Sequence, residues 1–283
     1  SDQIEQRQIR NIEDVLRDVP GVAVSSVPGQ TQIRLRGTEG NHVLVLVDGI
    51  EVSDHGSGEY DIGTLQAEIG SRLEILRGPQ SATWGNDAIG GVVAYSTASG
   101  SDREGFSTSL EGGTNNTING SARYGANGQG WDAALSATVV STDGEPNSRP
   151  AGGGARDIGR DSYTLSAKGS AEVAPEFTVR AVGRFVRTEG DFNDQDFGFG
   201  SPTLGLVIDS AGNRFEQEFI SGLLGAHLDV LDRSWSHDLS VQFTNSNRET
   251  VAPAGFPSST ESDRFKASYV SAYDFGGTDH SLT

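Results

Sequence analysis

The sequence has 283 residues, of which 38 are Gly and none is Cys or Met, and its 21 Lys+Arg against 39 Asp+Glu give a formal net charge of −18. So acidic a balance argues against a nucleic-acid partner, which needs a basic footprint, and the absence of Cys excludes a disulfide framework and thiolate chemistry. The longest apolar run, VLVLV at 43–47, falls far short of the ~18–20 residues of a membrane helix, although closed β-barrels also cross bilayers.

Residues 1–99 read as one compact, mixed domain and 100–283 as a second unit. "NIEDVLRDVPGV" (11–22) predicts a short amphipathic helix with Asn11 as N-cap, an apolar stripe of Ile12, Val15, Leu16 and Val19, and a stop at Pro20-Gly21. "QIRLRG" (32–37) alternates like a half-buried strand, and "HVLVLVDG" (42–49) is a fully buried strand entering a turn. "EVSDHGSGEYDIG" (51–63) is a polar loop, and "RLEILRG" (72–78) and "GVVAYSTA" (91–98) supply two more strands. Between those strands stand Gly78, Gly85, Gly90 and Gly91, which predict close backbone approach.

From residue 106 onward, alternation with period two recurs. Trp131, Ala133, Leu135, Ala137 and Val139 share one face opposite Asp132, Ser136 and Thr138. Tyr163, Leu165 and Ala167 oppose Ser162, Thr164, Ser166 and Lys168, while Phe265, Ala267 and Tyr269 oppose Lys266 and Ser268. Segments of 10–14 residues suit a tilted membrane strand. Short turns at 125–130, 174–176, 231–234 and 276–279 alternate with long polar loops at about 142–160, 191–214 and 251–262. That layout is expected of an outer-membrane barrel with brief periplasmic turns; a soluble β-sandwich is the alternative.

"RNIEDVLRDVPGV", "IRLRG", "HVLVLVDGI" and "LEILRGPQSATWGNDAIGGVV", in this order and followed by alternating strands, resemble the plug and first barrel strands of TonB-dependent outer-membrane receptors over essentially the whole chain. The 51–63 loop and the "DAIGGVV" ending are most similar to the vitamin B12 transporters of that family. The resemblance implies a mainly β protein, with a small α+β plug inside a transmembrane antiparallel β-barrel of about 22 strands. About eight strands and the start of a ninth are expected here, leaving the barrel incomplete. Eight strands cannot close around a ~100-residue plug, so the chain is expected to be a processed piece of a protein roughly twice as long. The TonB box that would recruit TonB is not in the sequence, which begins at Ser1 just before the plug helix.

The function implied is TonB-dependent import of a corrinoid or an iron-siderophore across the bacterial outer membrane, with outer-membrane lipid around the barrel. A passive porin or adhesin-like barrel is the second reading and a soluble β-rich enzyme the third. Catalysis has little support. The five His residues form no zinc pattern, there is no Walker A loop and no G-x-S-x-G, and Asp48 before Gly49 reads as a turn residue. In the family, arginines in "RLRG" and "LRGP" pair with glutamates on barrel strands, so Arg36 and Arg77 are expected to hold the plug, with partners beyond Thr283.

Loops 28–30 and 53–60 should form the outward apex of the plug. They offer Gln30, Ser53, Asp54, His55, Ser57, Glu59 and Tyr60 to a bulky polar ligand. One non-protein group is expected, a structural calcium in the outer loops. Its candidate ligands are Asp143, Asp157 and Asp161 from one loop and Asp191, Asp194 and Asp196 from the next. Calcium takes six to eight oxygens, often from separate segments, and the vitamin B12 transporters of the family use loop aspartates in this way. "DFNDQDFGFGSP" is itself no EF-hand, because Asp196 and Pro202 stand where the turn Gly and the bidentate Glu belong.

Overall fold

The structure, a computed structural model, describes residues 7, 9–27, 29–54, 57–148, 154, 156–253, 255–274 and 281–282. Helix α1 (Ile12–Arg17) forms where the apolar stripe was predicted, with Ile12 and Leu16 buried. Asn11 sits at the N-cap in extended backbone, but its side chain makes no cap bond; the residue bridges instead to Gln66. A hairpin follows, β1 (Val22–Val27) and β2 (Gln30–Leu35). Strand β1 escapes sequence reading because the apolar parity of "VAVSSV" switches between Val24 and Val27, which blurs the alternation.

The plug sheet contains β3 (Val43–Val47), β4 (Ile50–Glu51), β5 (Arg72–Arg77) and β6 (Gly91–Ser96) in the order β4-β3-β6-β5. Strand β3 is buried throughout, as a continuous Val/Leu run requires. A one-turn helix α2 (Ser81–Trp84) lies between β5 and β6. The turn glycines divide by role. Gly90 and Gly91 are packing sites, where an added Cβ would meet Thr38 Oγ1 at 2.4 Å and Leu76 O at 2.3 Å. Gly85 has nothing within 4 Å and is needed for its φ of +89°. The close approach expected of all four glycines therefore holds at two of them.

The large sheet is a meander of β7 (Gly105–Gly112), β8 (Ile118–Gly128), β9 (Trp131–Thr142), β10 (Arg160–Ala174), β11 (Phe177–Asp191), β14 (Arg214–Val230), β15 (Trp235–Val251), β16 (Ser258–Asp274) and β17 (Ser281–Leu282). A small hairpin, β12 (Asp194–Gln195) and β13 (Val207–Ile208), stands in the loop after β11. The longest strands reach 17 residues, beyond the 10–14 expected. Strand β16 already begins at Ser258, so the loop is shorter than 251–262. "SSTESD" is polar on both faces, which hides its strand character from any alternation test.

The faces of this sheet are inverted relative to a water-soluble protein. Leu110, Leu135, Leu224 and Tyr269 stand 52–80% exposed, while Thr138, Ser162, Arg184 and Thr188 on the opposite face are at most 4% exposed. Near the short-turn end Phe106, Tyr124, Trp131 and Trp235 also face outward, forming an aromatic girdle. Apolar out and polar in, with an aromatic band, is the arrangement of a strand wall bathed in lipid. The plug packs on the inner face, and its core of Leu35, Val45, Ile62, Leu65 and Tyr95 continues into Val186, Phe219 and Leu223 of the wall.

Candidate functional site

Plug carboxylates meet basic side chains of the wall at several heights. Asp48, held at a turn with φ +49°, accepts from Thr97 and lies 3.1 Å from Lys168 Nζ of β10. Glu51 accepts from Arg264 Nη1 at 2.6 Å and Lys266 Nζ at 2.8 Å, both on β16. In the reverse sense, Arg10 Nε donates to Glu111 of β7 at 2.9 Å.

The most enclosed pair is Glu68 with Arg184 of β11, whose side chains are 1% and 2% exposed. The Glu68 carboxylate also accepts from Ser136 Oγ and, at 2.7 Å, from Ser166 Oγ. Burial alone would push that carboxyl up; Arg184 and the two hydroxyls outweigh it and hold the group below its ordinary value. Tyr95 completes the cluster. Its hydroxyl donates to Gln66 O at 3.0 Å and accepts from Glu68 N at 2.9 Å, and its ring centroid lies 5.9 Å from Arg184 Cζ. Burial drives the phenol well above its usual range, so it stays protonated.

Toward the long-loop end, a cavity of about 340 Å³ opens between the plug and β14–β16. Gln30, Asp54, Ser57, Glu59, Tyr60 and Asp61 line it from the plug, facing Gln217, Phe219, Ser246, Arg248 and Thr260 of the wall. Asp61 anchors the floor: it accepts from Thr31 N (2.9 Å), Gly63 N (3.1 Å) and Arg248 Nη1 (3.3 Å). Arg248 also donates to Gln217 Oε1 at 2.7 Å and to Gly29 O, and its guanidinium lies 4.5 Å from the Phe215 ring centroid. Tyr60 is buried with its ring edge-on to Phe219 at 6.3 Å. Partial burial raises the Glu59 carboxyl, against the opposing hydrogen bond from Gln32. The cavity presents donors, acceptors and aromatic surface.

Five of the seven predicted apex residues, Gln30, Asp54, Ser57, Glu59 and Tyr60, thus come together around one cavity. Ser53 is buried behind it, and His55 lies outside the described residues. Asp61, Arg248 and Phe219 were missed: Asp61 sits in a turn signal, and wall residues carry no mark of which plug loop they face.

Arg36 and Arg77 lie together at the other end of the plug, both exposed. Arg36 Nη1 is 3.7 Å from the Cβ position of Gly78, and Arg77 Nη1 donates to Pro20 O at 2.8 Å. Neither meets a carboxylate among the described residues. The plug–wall pairs seen here mostly carry the opposite polarity, with carboxylates on the plug.

The six loop aspartates do not form a calcium cage among the described residues, where no three His, Cys, Asp or Glu gather around one point. Asp143, Asp161 and Asp191 share a rim depression of about 450 Å³ with Glu189, Glu216 and Glu249, spread over neighbouring strands. Asp143 accepts from Asn116 Nδ2 and Asp161 from Ser141 Oγ, each at 2.5 Å. Asp194 takes Asn213 Nδ2 at 2.6 Å, and Asp157 is exposed. Asp196 accepts from Ser201 Oγ, Thr203 Oγ and Gly198 N, bonds that hold its carboxyl below the usual range.

Comparison with known proteins matches residues 1–92 to the TonB-dependent Receptor Plug Domain. The vitamin B12 transporter BtuB of Vibrio vulnificus (strain YJ016) is 41% identical over 98 residues, which are 34% of this chain and 16% of that relative. Among solved structures, the ferric yersiniabactin uptake receptor FyuA of Yersinia pestis superposes with a TM-score of 0.69 at 14% identity, covering 98% of this chain and 45% of that one. The siderophore receptor PirA of Acinetobacter baumannii gives 0.65 at 17% identity, with 96% and 43% covered. FpvA of P. aeruginosa, bound to heterologous pyoverdines, gives 0.71 at 12%, with 98% and 39% covered. The chain therefore spans less than half the length of these solved receptors, and the likeness to them is one of fold. The first third of the chain thus matches the plug family of TonB-dependent receptors, and plug and inverted strand wall together share the fold of solved receptors of the bacterial outer membrane.

Proposed function

We propose that the chain is the plug and first wall of an energy-coupled importer that takes a corrinoid or an iron-siderophore from outside and passes it inward when TonB draws on the plug. The observation that carries this reading is the apex cavity, where plug loop and wall strands jointly line about 340 Å³ with hydrogen-bonding groups around Tyr60 and Phe219. A site shared between the two parts changes shape whenever the plug moves, which couples release to pulling. The core that plug and wall share through Val186, Phe219 and Leu223 argues against a passive open pore along this wall. The similarity to a vitamin B12 transporter in the plug favours a corrinoid, while the solved receptors of like fold bind siderophores.

Loop 54–59 closes on itself, Asp54 N donating to Glu59 O at 2.7 Å, so it can be excised with little strain on its flanks. Deleting residues 54–59 from the whole receptor is expected to abolish binding of cobalamin or ferric siderophore, measured by equilibrium titration, while barrel insertion is unchanged. Undiminished affinity for whichever ligand the intact receptor binds would remove the apex site from the account.

A further inference from the structure

Arg156 belongs to the first long loop, four residues ahead of β10, yet its guanidinium is built into the second. Nε donates to Asp209 Oδ1 at 3.0 Å. Nη2 is shared among Phe192 O (2.8 Å), Asn193 Oδ1 (2.7 Å) and Ser210 O (2.9 Å), and Asp191 Oδ2 lies 3.7 Å from Nη1. Two carboxylates, one side-chain amide and two main-chain carbonyls therefore converge on a single cation. That is the donor set of hard oxygens a calcium ion takes, and here a side chain of the protein fills it.

The surrounding bonds tie both loops to this point. Asn193 is 4% exposed; its Nδ2 donates to Asn147 Oδ1 of the first loop at 2.8 Å, and its Oδ1 also accepts Ser210 N at 2.9 Å. Asp194 N donates to Ser210 Oγ at 3.1 Å. The clamp also reaches the apex cavity. Phe192, whose carbonyl Arg156 holds, is buried with its ring 3.4 Å from the Cβ position of Gly29, beside Gln30 in the cavity lining.

We propose that Arg156 is a built-in cation that cross-links the two long outer loops, so that the rim above the apex cavity is ordered without calcium. Of the aspartates expected to hold a metal, Asp143, Asp161, Asp194 and Asp196 accept hydrogen bonds elsewhere, and Asp191, together with Asp209, lies against the guanidinium. A fork of fixed geometry suits this role where a lysine does not, since five oxygens are reached by one planar group. Arg156 is thus a positioning residue for the apex site.

Hydrogen exchange on the whole receptor tests this without any ligand, so its outcome is separable from the import reading on which only the link to the cavity rests. Exchange across residues 191–213 is expected to be equally slow in EDTA and in calcium. In EDTA, Arg156→Ala should speed it by about tenfold or more while β10 and β11 stay protected, and Arg156→Lys should fall between the two. Loosening of the unaltered receptor by EDTA alone would overturn the proposal by making a metal the cross-link. Unchanged protection in Arg156→Ala, or full protection in Arg156→Lys, would overturn it by making the guanidinium fork dispensable.

Discussion

Arg184→Ala is expected to loosen the plug from the wall by about 3–5 kcal/mol, the usual cost of leaving one partner of a buried ion pair alone. Glu68 would keep its two hydroxyl donors, Ser136 and Ser166, but lose the guanidinium that neutralises it in a site 1% exposed. Urea titration followed by hydrogen exchange of residues 60–96 should show the plug unfolding earlier while the strand wall is unaffected. The double change Glu68→Leu with Arg184→Met should cost less than Arg184→Ala, because it removes the charge that burial penalises. Equal losses from the two variants would mean that the pair contributes by packing alone. The pH dependence follows from the same contact. The Glu68 carboxyl is lowered in the folded state, so its contribution is complete above the ordinary carboxylate value and disappears as the pH falls through the lowered one.

The second large effect is expected at Gly91, where β6 begins opposite Arg77 of β5. Its φ is +144°, and a Cβ there would lie 2.3 Å from Leu76 O and 2.7 Å from Leu35 Cδ1. The first obstacle is backbone of the paired strand and the second is core, so neither can give way cheaply. Gly91→Val should prevent the plug sheet from assembling, a loss beyond the 4–5 kcal/mol that marks exceptional substitutions. Gly85→Ala meets nothing within 4 Å and should cost about 1–3 kcal/mol, for a backbone region that glycine alone enters readily. Cells producing the Gly91→Val receptor should admit large antibiotics through an unplugged barrel, and those producing Gly85→Ala should not. The same sensitivity from both variants would show that the close contact at Gly91 is not what matters.

Much of the architecture is legible because lipid imposes its own alternation. Leu135 and Val139 against Ser136 and Thr138 reveal two faces whichever way the strand is turned, and the short-turn, long-loop rhythm then gives the meander its direction. The 51–63 loop stands out for a different reason: it is polar, carries one aromatic and follows the buried strands β3 and β4. What the sequence hides is pairing across distance. Glu68 and Arg184 are 116 residues apart, and "VRAVGRFVR" contains three arginines of which only Arg184 is buried. Strand parity sets Arg187 apart but leaves Arg180 on the same face as Arg184, and nothing local names Glu68 as the partner. Arg156 is hidden in the same way, because an arginine in an acidic loop looks solvated until the second loop folds over it.

In the proposed import, ligand captured at the apex cavity enters only when TonB works on the plug. The most direct test is accumulation of labelled cobalamin, and in parallel a labelled ferric siderophore, by cells producing the whole receptor, with TonB present and with TonB removed. Saturable uptake of one of these ligands is expected, lost without TonB and abolished by deleting residues 54–59. Uptake at the same rate in cells lacking TonB would contradict this reading and return the chain to a passive barrel.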